Sequence, residues 1–110
     1  MNSKSLVIDI GSNDGVFLGP LKEKGIQVIG VDPAKNIAEI AINKNIETIN
    51  KYFTNDVAEE IYKKFGYANL VTASNVFAHA DNIHEIVHSA FKLLKKDGCF
   101  IIEVQYLLDM

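Results

Sequence analysis

The amino-acid sequence predicts an α/β fold: a doubly wound, mainly parallel sheet in the strand order 3-2-1-4-5 with helices on both faces. Three observations lead there. Strand-like and helix-like runs alternate four times along the 110 residues and close on a fifth strand, with no repeat, linker or low-complexity run to divide them. The first strand, Leu6 to Ile10, is apolar except for Asp9, as a strand covered by helices on both faces must be, and so belongs in the middle of the sheet. Ile46-Glu47-Thr48-Ile49 instead alternates apolar and polar side chains, which suits an edge strand with one wet face.

Taken in order, the first strand runs into the turn Gly11-Ser12-Asn13-Asp14-Gly15. Val16, Phe17, Leu18 and Leu21 then give a helical stripe closed by Lys22, Lys24 and Gly25. Pro20 requires that this helix start late, near Phe17, or be kinked, because proline loses no intrahelical bond only in the first turn. Val28 to Val31 forms a second buried strand ending at Asp32, which is expected to cap a helix opened by Pro33 and lined by Ile37, Ile40 and Ala41. Asn43 and Asn45 end it. After the edge strand, Thr54 caps a third helix with Val57, Ala58, Ile61 and Phe65 inside and Gly66 as its stop. Leu70 to Ala73 is the fourth strand. A loop from Ser74 to Asp81 leads to Asn82 and Glu85, a capping-box-like start for a helix lined by Ile83, Ile86, Val87, Ala90 and Leu94. Asp97-Gly98 turns the chain into the fifth strand, Phe100 to Val104.

Composition narrows the function classes. With 48% apolar and 23% charged residues the chain is globular, one domain over residues 1–110, and no window is apolar enough for a membrane helix, so no membrane role is expected. The first residues pass straight into a strand without a secretory pattern, and a cytoplasmic location is expected. Net charge is −3, and the eleven lysines are scattered without a single arginine to read phosphates or bases in bidentate fashion, which argues against nucleic acid as partner. The single cysteine, Cys99, sits in an apolar run and is expected as a small buried hydrophobe. His84 and His88 stand four apart on the polar side of the last helix, where a solvated face is the simpler reading than a metal pair, and no metal site is expected.

Ligands in such a sheet bind beyond the carboxyl ends of the strands, at the switch point between strands 1 and 4. A dinucleotide turn would need G-x-G-x-x-G from Gly11, but Asn13 and Val16 occupy the second and third glycine positions. Asp9-x-Gly11-x-Asn13-x-Gly15 resembles motif I of the class I S-adenosylmethionine-dependent methyltransferases. A sulfonium ligand with an α-amino group and no pyrophosphate needs carboxylates and carbonyls more than a glycine-only phosphate cradle. Asp9 and Asp14 meet that need, although Asp14 could equally cap the following helix. Asp32, seventeen residues after Gly15 at the end of the second strand, is placed to accept both hydroxyls of an adenosine ribose.

The resemblance extends further. Asp-Ile-Gly-Ser-Asn-Asp-Gly at 9–15, Val-Asp-Pro at 31–33, Ser-Asn-Val-Phe-Ala-His-Ala-Asp-Asn at 74–82 and Ile-Glu-Val-Gln-Tyr-Leu-Leu-Asp at 102–109 are similar to the core of the sugar C-methyltransferases, which methylate a carbon of nucleotide-linked keto-deoxysugars. That resemblance implies a Rossmann-like methyltransferase core of which the last two strands lie outside this chain. It also implies S-adenosylmethionine as cofactor with S-adenosylhomocysteine as product, and cofactor contacts from Gly11, Ser12, Asn13, Gly15, Asp32 with its neighbour Pro33, and Asn75. The adenine would lie near Tyr52 and Phe53, which could pack on the ring or serve in core or surface packing. His79, near the methyl site, is the candidate catalytic acid or base, set against a loop-fixing hydrogen bond. Glu103 and Tyr106 are weaker candidates of the same sort.

The family's preceding cysteine-rich zinc domain and its His-Glu-His type segment beyond the fifth strand are not in these residues, and Gln105 replaces the usual proline. The chain is therefore expected to be a fragment of a larger enzyme whose substrate is a small molecule, a nucleotide-linked sugar. The alternatives are a noncatalytic binding module that oligomerises through the exposed edge of strand 5 and, further off, an NAD-dependent enzyme.

Overall fold

Three short parallel strands form where the chain is apolar enough to be covered on both faces: β1 (Leu6–Ile10), fully buried, β2 (Gln27–Val31), buried from Val28 onward, and the two-residue β3 (Thr48–Ile49). Two longer strands, β4 (Ala68–Phe77) and β5 (Leu94–Gln105), complete the sheet. The computed structural model describes residues 5–12, 15, 17–77 and 80–105, with the side chains of 74–77, 80–82 and 103–105 outside that description. The sheet order is β3-β2-β1-β4-β5 and each described pairing is parallel, as the strand ranking from the sequence requires.

The helices are α1 (Leu18–Glu23), α2 (Lys35–Asn43), α3 (Asn55–Phe65) and α4 (Ala80–Leu93). On one face α3 and α4 cover the sheet: Val57, Ala58 and Ile61 pack with Ile86, Ala90 and Leu93 against Ile8, Ile10, Ile29, Val31 and Val71. On the other, Leu18 of α1 and Ala41 of α2 pack against Val7 and Val28, with Ile26 and Ile46 closing the lower edge. Burying these side chains at ~25 cal/mol per Å2 is what holds the two helix layers to the sheet.

Local chemistry sets the boundaries. Pro20 is the third residue of α1, inside the first turn where its missing N–H breaks no bond, so the helix starts late rather than kinking. Phe17, expected in the inner stripe, is instead the N-cap residue and 42% exposed. In α2 the inner face is Ala38 and Ala41, while Ile40 points outward at 47% exposure. Asn45 takes φ 64° to leave that helix, a conformation asparagine tolerates. Thr54 caps α3 as expected, its Oγ1 accepting from the Val57 N–H at 3.3 Å. Thr54→Ala is expected to lower stability by about 1 kcal/mol in thermal unfolding, with no change at the sheet's other helices.

The right side of the sheet departs most from expectation. β4 starts two residues before Leu70 and runs on to Phe77, α4 begins at Ala80 rather than Asn82, and β5 begins at Leu94. Pairing jumps from Ala68–Leu94 to Leu70–Cys99, so Lys95 to Gly98 bulge out where a plain turn was expected. Phe100 and Ile102 of β5 pack toward α3 and α4, whereas Cys99 is exposed and Ile101 is 57% exposed. Cys99 is therefore not the buried hydrophobe its neighbours suggested. It shares a face with Leu70, on the α1/α2 side, and no described helix reaches far enough along the sheet to cover it. Among the described residues no helix is long and apolar enough to cross a membrane.

Candidate cofactor site

The carboxyl ends of β1 and β2 are joined by backbone. The Gly11 N–H donates to the Val31 carbonyl at 2.7 Å and the Ser12 N–H donates to the same oxygen at 3.3 Å, so the turn after β1 is pinned across the end of β2. Gly11 has φ 72° and Gly15 φ 87°, both in the region that favours glycine. The Gly15 N–H closes the turn on the Ser12 carbonyl at 3.1 Å. A Cβ at Gly15 would also meet Ile46 Cδ1, the far end of a side chain just beyond α2, which would have to shift.

At the end of β2, Asp32 is 8% exposed and its Oδ1 accepts from the Ala34 N–H at 2.9 Å, bridging Pro33 in an Asx turn. It is not the cap of α2: that position is Ala34, in an extended conformation and without a side-chain bond. The carboxylate instead bonds two residues on, before the helix begins. The Asn50 Nδ2 donates to the Asp32 carbonyl at 3.0 Å, and the Asp32 N–H donates to Ile49 at 3.0 Å, so β3 and its following turn hold this corner. Pro33 itself is exposed beside it.

Asp9 lies deeper, 2% exposed, with its Oδ1 accepting from the Thr72 hydroxyl at 2.7 Å. Burial pushes its carboxyl from 3.8 up to about 6; the Thr72 hydrogen bond opposes that shift and the negative charge of Asp32 adds to it. A buried acid whose carboxyl is pushed up beside a second acid at the end of a sheet is a candidate functional group.

Of the expected adenine-stacking pair only one ring is available. Tyr52 is 75% exposed, over an open hollow of about 520 Å3 lined with Lys51, Thr54, Asp56, Val57 and Glu60. Phe53 is 7% exposed and belongs to the core packed by α3 and α4, so it cannot stack on a ligand. Ser12 is 2% exposed, with its hydroxyl turned into the protein. The carboxyl edge thus gathers Asp9, Gly11, Ser12, Gly15, Asp32 and Tyr52. Asn13, Asp14 and His79 lie outside the described residues, as does the side chain of Asn75, which stands in β4. His84 and His88 are exposed on α4, and no group of three or more metal-ligating side chains occurs among the described residues.

Three contributors to this edge were not picked out from the sequence. Thr72 is the polar interruption in Leu70-Val71-Thr72-Ala73, and its register opposite Asp9 was the missing signal. Asn50 follows the edge strand directly. Gly30, in the middle of a buried strand, is the third.

Residues 2–109 match the family model described as a methyltransferase domain. The C-methyltransferase NovU of Streptomyces niveus is 43% identical over 105 residues, covering 96% of this chain and 25% of that protein. A ubiquinone biosynthesis O-methyltransferase of Rhodopseudomonas palustris is 28% identical over 109 residues, covering 92% of this chain and 43% of the relative. This chain spans less than half of each of them. Among solved structures, a SAM-dependent methyltransferase from Archaeoglobus fulgidus superposes with a TM-score of 0.74 at 23% identity, covering 87% of this chain and 42% of that one. One from Geobacter sulfurreducens, in complex with S-adenosyl-L-homocysteine, superposes with a TM-score of 0.65 at 17% identity over 93% of this chain and 42% of that one.

Proposed function

This chain belongs to the methyltransferase-domain family and has the Rossmann-like fold of the S-adenosylmethionine-dependent methyltransferases, and from that premise we propose that it is the cofactor-binding core of a cytoplasmic enzyme that methylates a carbon of a nucleotide-linked deoxysugar. The observation that carries the reading is the meeting of Asp9, the Gly11–Gly15 turn and Asp32 at the carboxyl edge of β1 and β2. Similarity to a C-methyltransferase supports carbon as the acceptor, and the motifs at 74–82 and 102–109 support the sugar.

In this reading Asp32 accepts from the ribose hydroxyls, since a carboxylate offers about four lone-pair positions. Asp9 and Asp14 provide negative charge for the α-ammonium and sulfonium groups, Asn13 and Asn75 supply polar contacts, and Tyr52 lies against the adenine. S-Adenosylmethionine supplies an electrophilic methyl group. The chain's residues hold it in line with the acceptor, which is positional catalysis. Removing a proton from the sugar carbon requires a base, for which His79 is the candidate within this chain.

Titration calorimetry with S-adenosylhomocysteine beside NAD tests the reading. Binding of S-adenosylhomocysteine alone is expected; binding of NAD alone contradicts it, and binding of neither leaves the noncatalytic module as the better account. Partner choice has its own test. With Cys99 and Ile101 exposed on the β5 edge strand, self-association is expected in sedimentation velocity. A monomer at every concentration contradicts that part, and no nucleic acid is expected to bind.

A further inference from the structure

In β2 the backbone of Gly30 stands beside Asp9 of β1 and Thr48 of β3, on the sheet face covered by α1 and α2. A side chain fits there by size, since Val28 occupies the same face one step earlier. At Gly30, however, the space is already filled from above. A Cβ built on it would collide with Ser12 Oγ, lie 2.8 Å from Ser12 Cβ and 3.4 Å from Leu18 Cδ1. The Ser12 side chain is thus plugged into the gap that Gly30 leaves, roofed by the first residue of α1. Among the described residues its hydroxyl has no hydrogen-bond partner, and its contact with the strand at Gly30 is steric. One residue further along β2, the Val31 carbonyl takes both the Gly11 and Ser12 N–H groups.

We propose that Gly30 is a positioning residue for cofactor binding: it is the socket that seats Ser12, and with the Val31 carbonyl it sets the height of the Gly11–Gly15 turn above the sheet. This rests on the methyltransferase reading and assigns a role to a residue that touches no ligand. The Ser12 side chain, by the same geometry, serves the turn's placement from below. A side chain at position 30 must lift the turn, because strand backbone cannot retreat while β1 and β3 are hydrogen-bonded on either side.

The test compares S-adenosylhomocysteine affinity and thermal unfolding for the unaltered chain, Gly30→Ala and the double variant Ser12→Gly with Gly30→Ala, which moves the Cβ from the turn to the strand. Gly30→Ala is expected to weaken binding by at least about tenfold, the usual consequence of overpacking at a fixed site. The double variant is expected to bind more tightly than Gly30→Ala alone, since the two changes share one space. Should Gly30→Ala fail to fold, the double variant decides alone: folding with affinity restored supports the socket, and folding without affinity overturns it. Unchanged affinity of a folded Gly30→Ala also overturns it. Absence of binding by the unaltered chain is a different result, which removes the methyltransferase reading and the socket with it.

Discussion

Asp32→Ala lowers the affinity for S-adenosylhomocysteine by roughly 100-fold, because two charge-assisted hydrogen bonds to the ribose together contribute about 3 kcal/mol. The same substitution deletes the acceptor of the Ala34 N–H, so a fall in stability of about 1 kcal/mol accompanies it. Asp32→Asn separates the two effects. An amide oxygen still accepts from Ala34, so the turn before α2 survives, while the charge and one acceptor are lost; its affinity is expected to fall about tenfold with little change in melting temperature. Calorimetric titration and thermal unfolding of both variants check this. Equal affinity for all three chains removes Asp32 from the binding edge.

Asp9→Asn is expected to stabilise the protein at neutral pH. The carboxyl titrates at about 6 in the folded chain against 3.8 when exposed, so between those values the folded state binds more protons than the unfolded one. Its contribution to stability is fully present below about pH 4, declines as pH rises through 6, and stays lost above that. The gap of about two pH units corresponds to about 3 kcal/mol at neutral pH. Asparagine keeps an acceptor for Thr72 without the buried charge but must bury an amide NH2, so the substitution recovers part of that amount, raising the melting temperature by about 5 °C. The measurement is denaturant unfolding of both chains from pH 4 to 7.5, read as their difference, since the other acids cancel. A difference that grows toward neutral pH is expected, and a constant one contradicts the burial argument. In the proposed reading Asp9 faces the cofactor's cationic groups, so S-adenosylhomocysteine binding is expected to weaken in Asp9→Asn.

The parts of the fold legible in the sequence were those where one residue's chemistry decides. Leu6 to Ile10 read as a central strand, Ile46 to Ile49 as an edge, Thr54 as the start of α3, and Pro20 narrowed α1 to a late start or a kink, of which the structure shows the first. The glycine-flanked turn at 11–15 and Asp32 could both be placed at the sheet's carboxyl edge from the sequence, and the structure adds the positive φ of Gly11 and Gly15. What could not be read depended on contacts made across the chain. Tyr52 and Phe53 are adjacent aromatics, and only the packing of α3 and α4 decides that the second goes inward. Ala38 rather than Ile40 faces inward, and that depends on how α2 is set against the rest of the chain. The Asp9–Thr72 bond joins residues 63 apart and needs the β1–β4 register, and the Ser12–Gly30 fit needs the turn folded back over β2. Cys99 looked buried by its neighbours in sequence, but burial on β5 depends on what lies over that face of the sheet.

The central claim is that the cofactor sits on the carboxyl edge of β1, β2 and β3. Mapping backbone amide chemical shifts while S-adenosylhomocysteine is added to the isotope-labelled chain tests it most directly. The account predicts that the largest changes fall on Gly11, Ser12, Gly15, Asp32 and Tyr52. Changes centred instead on Lys22, Gln27, Ile42 and Glu47, which line an open hollow of about 510 Å3 at the opposite end of β2, would contradict it.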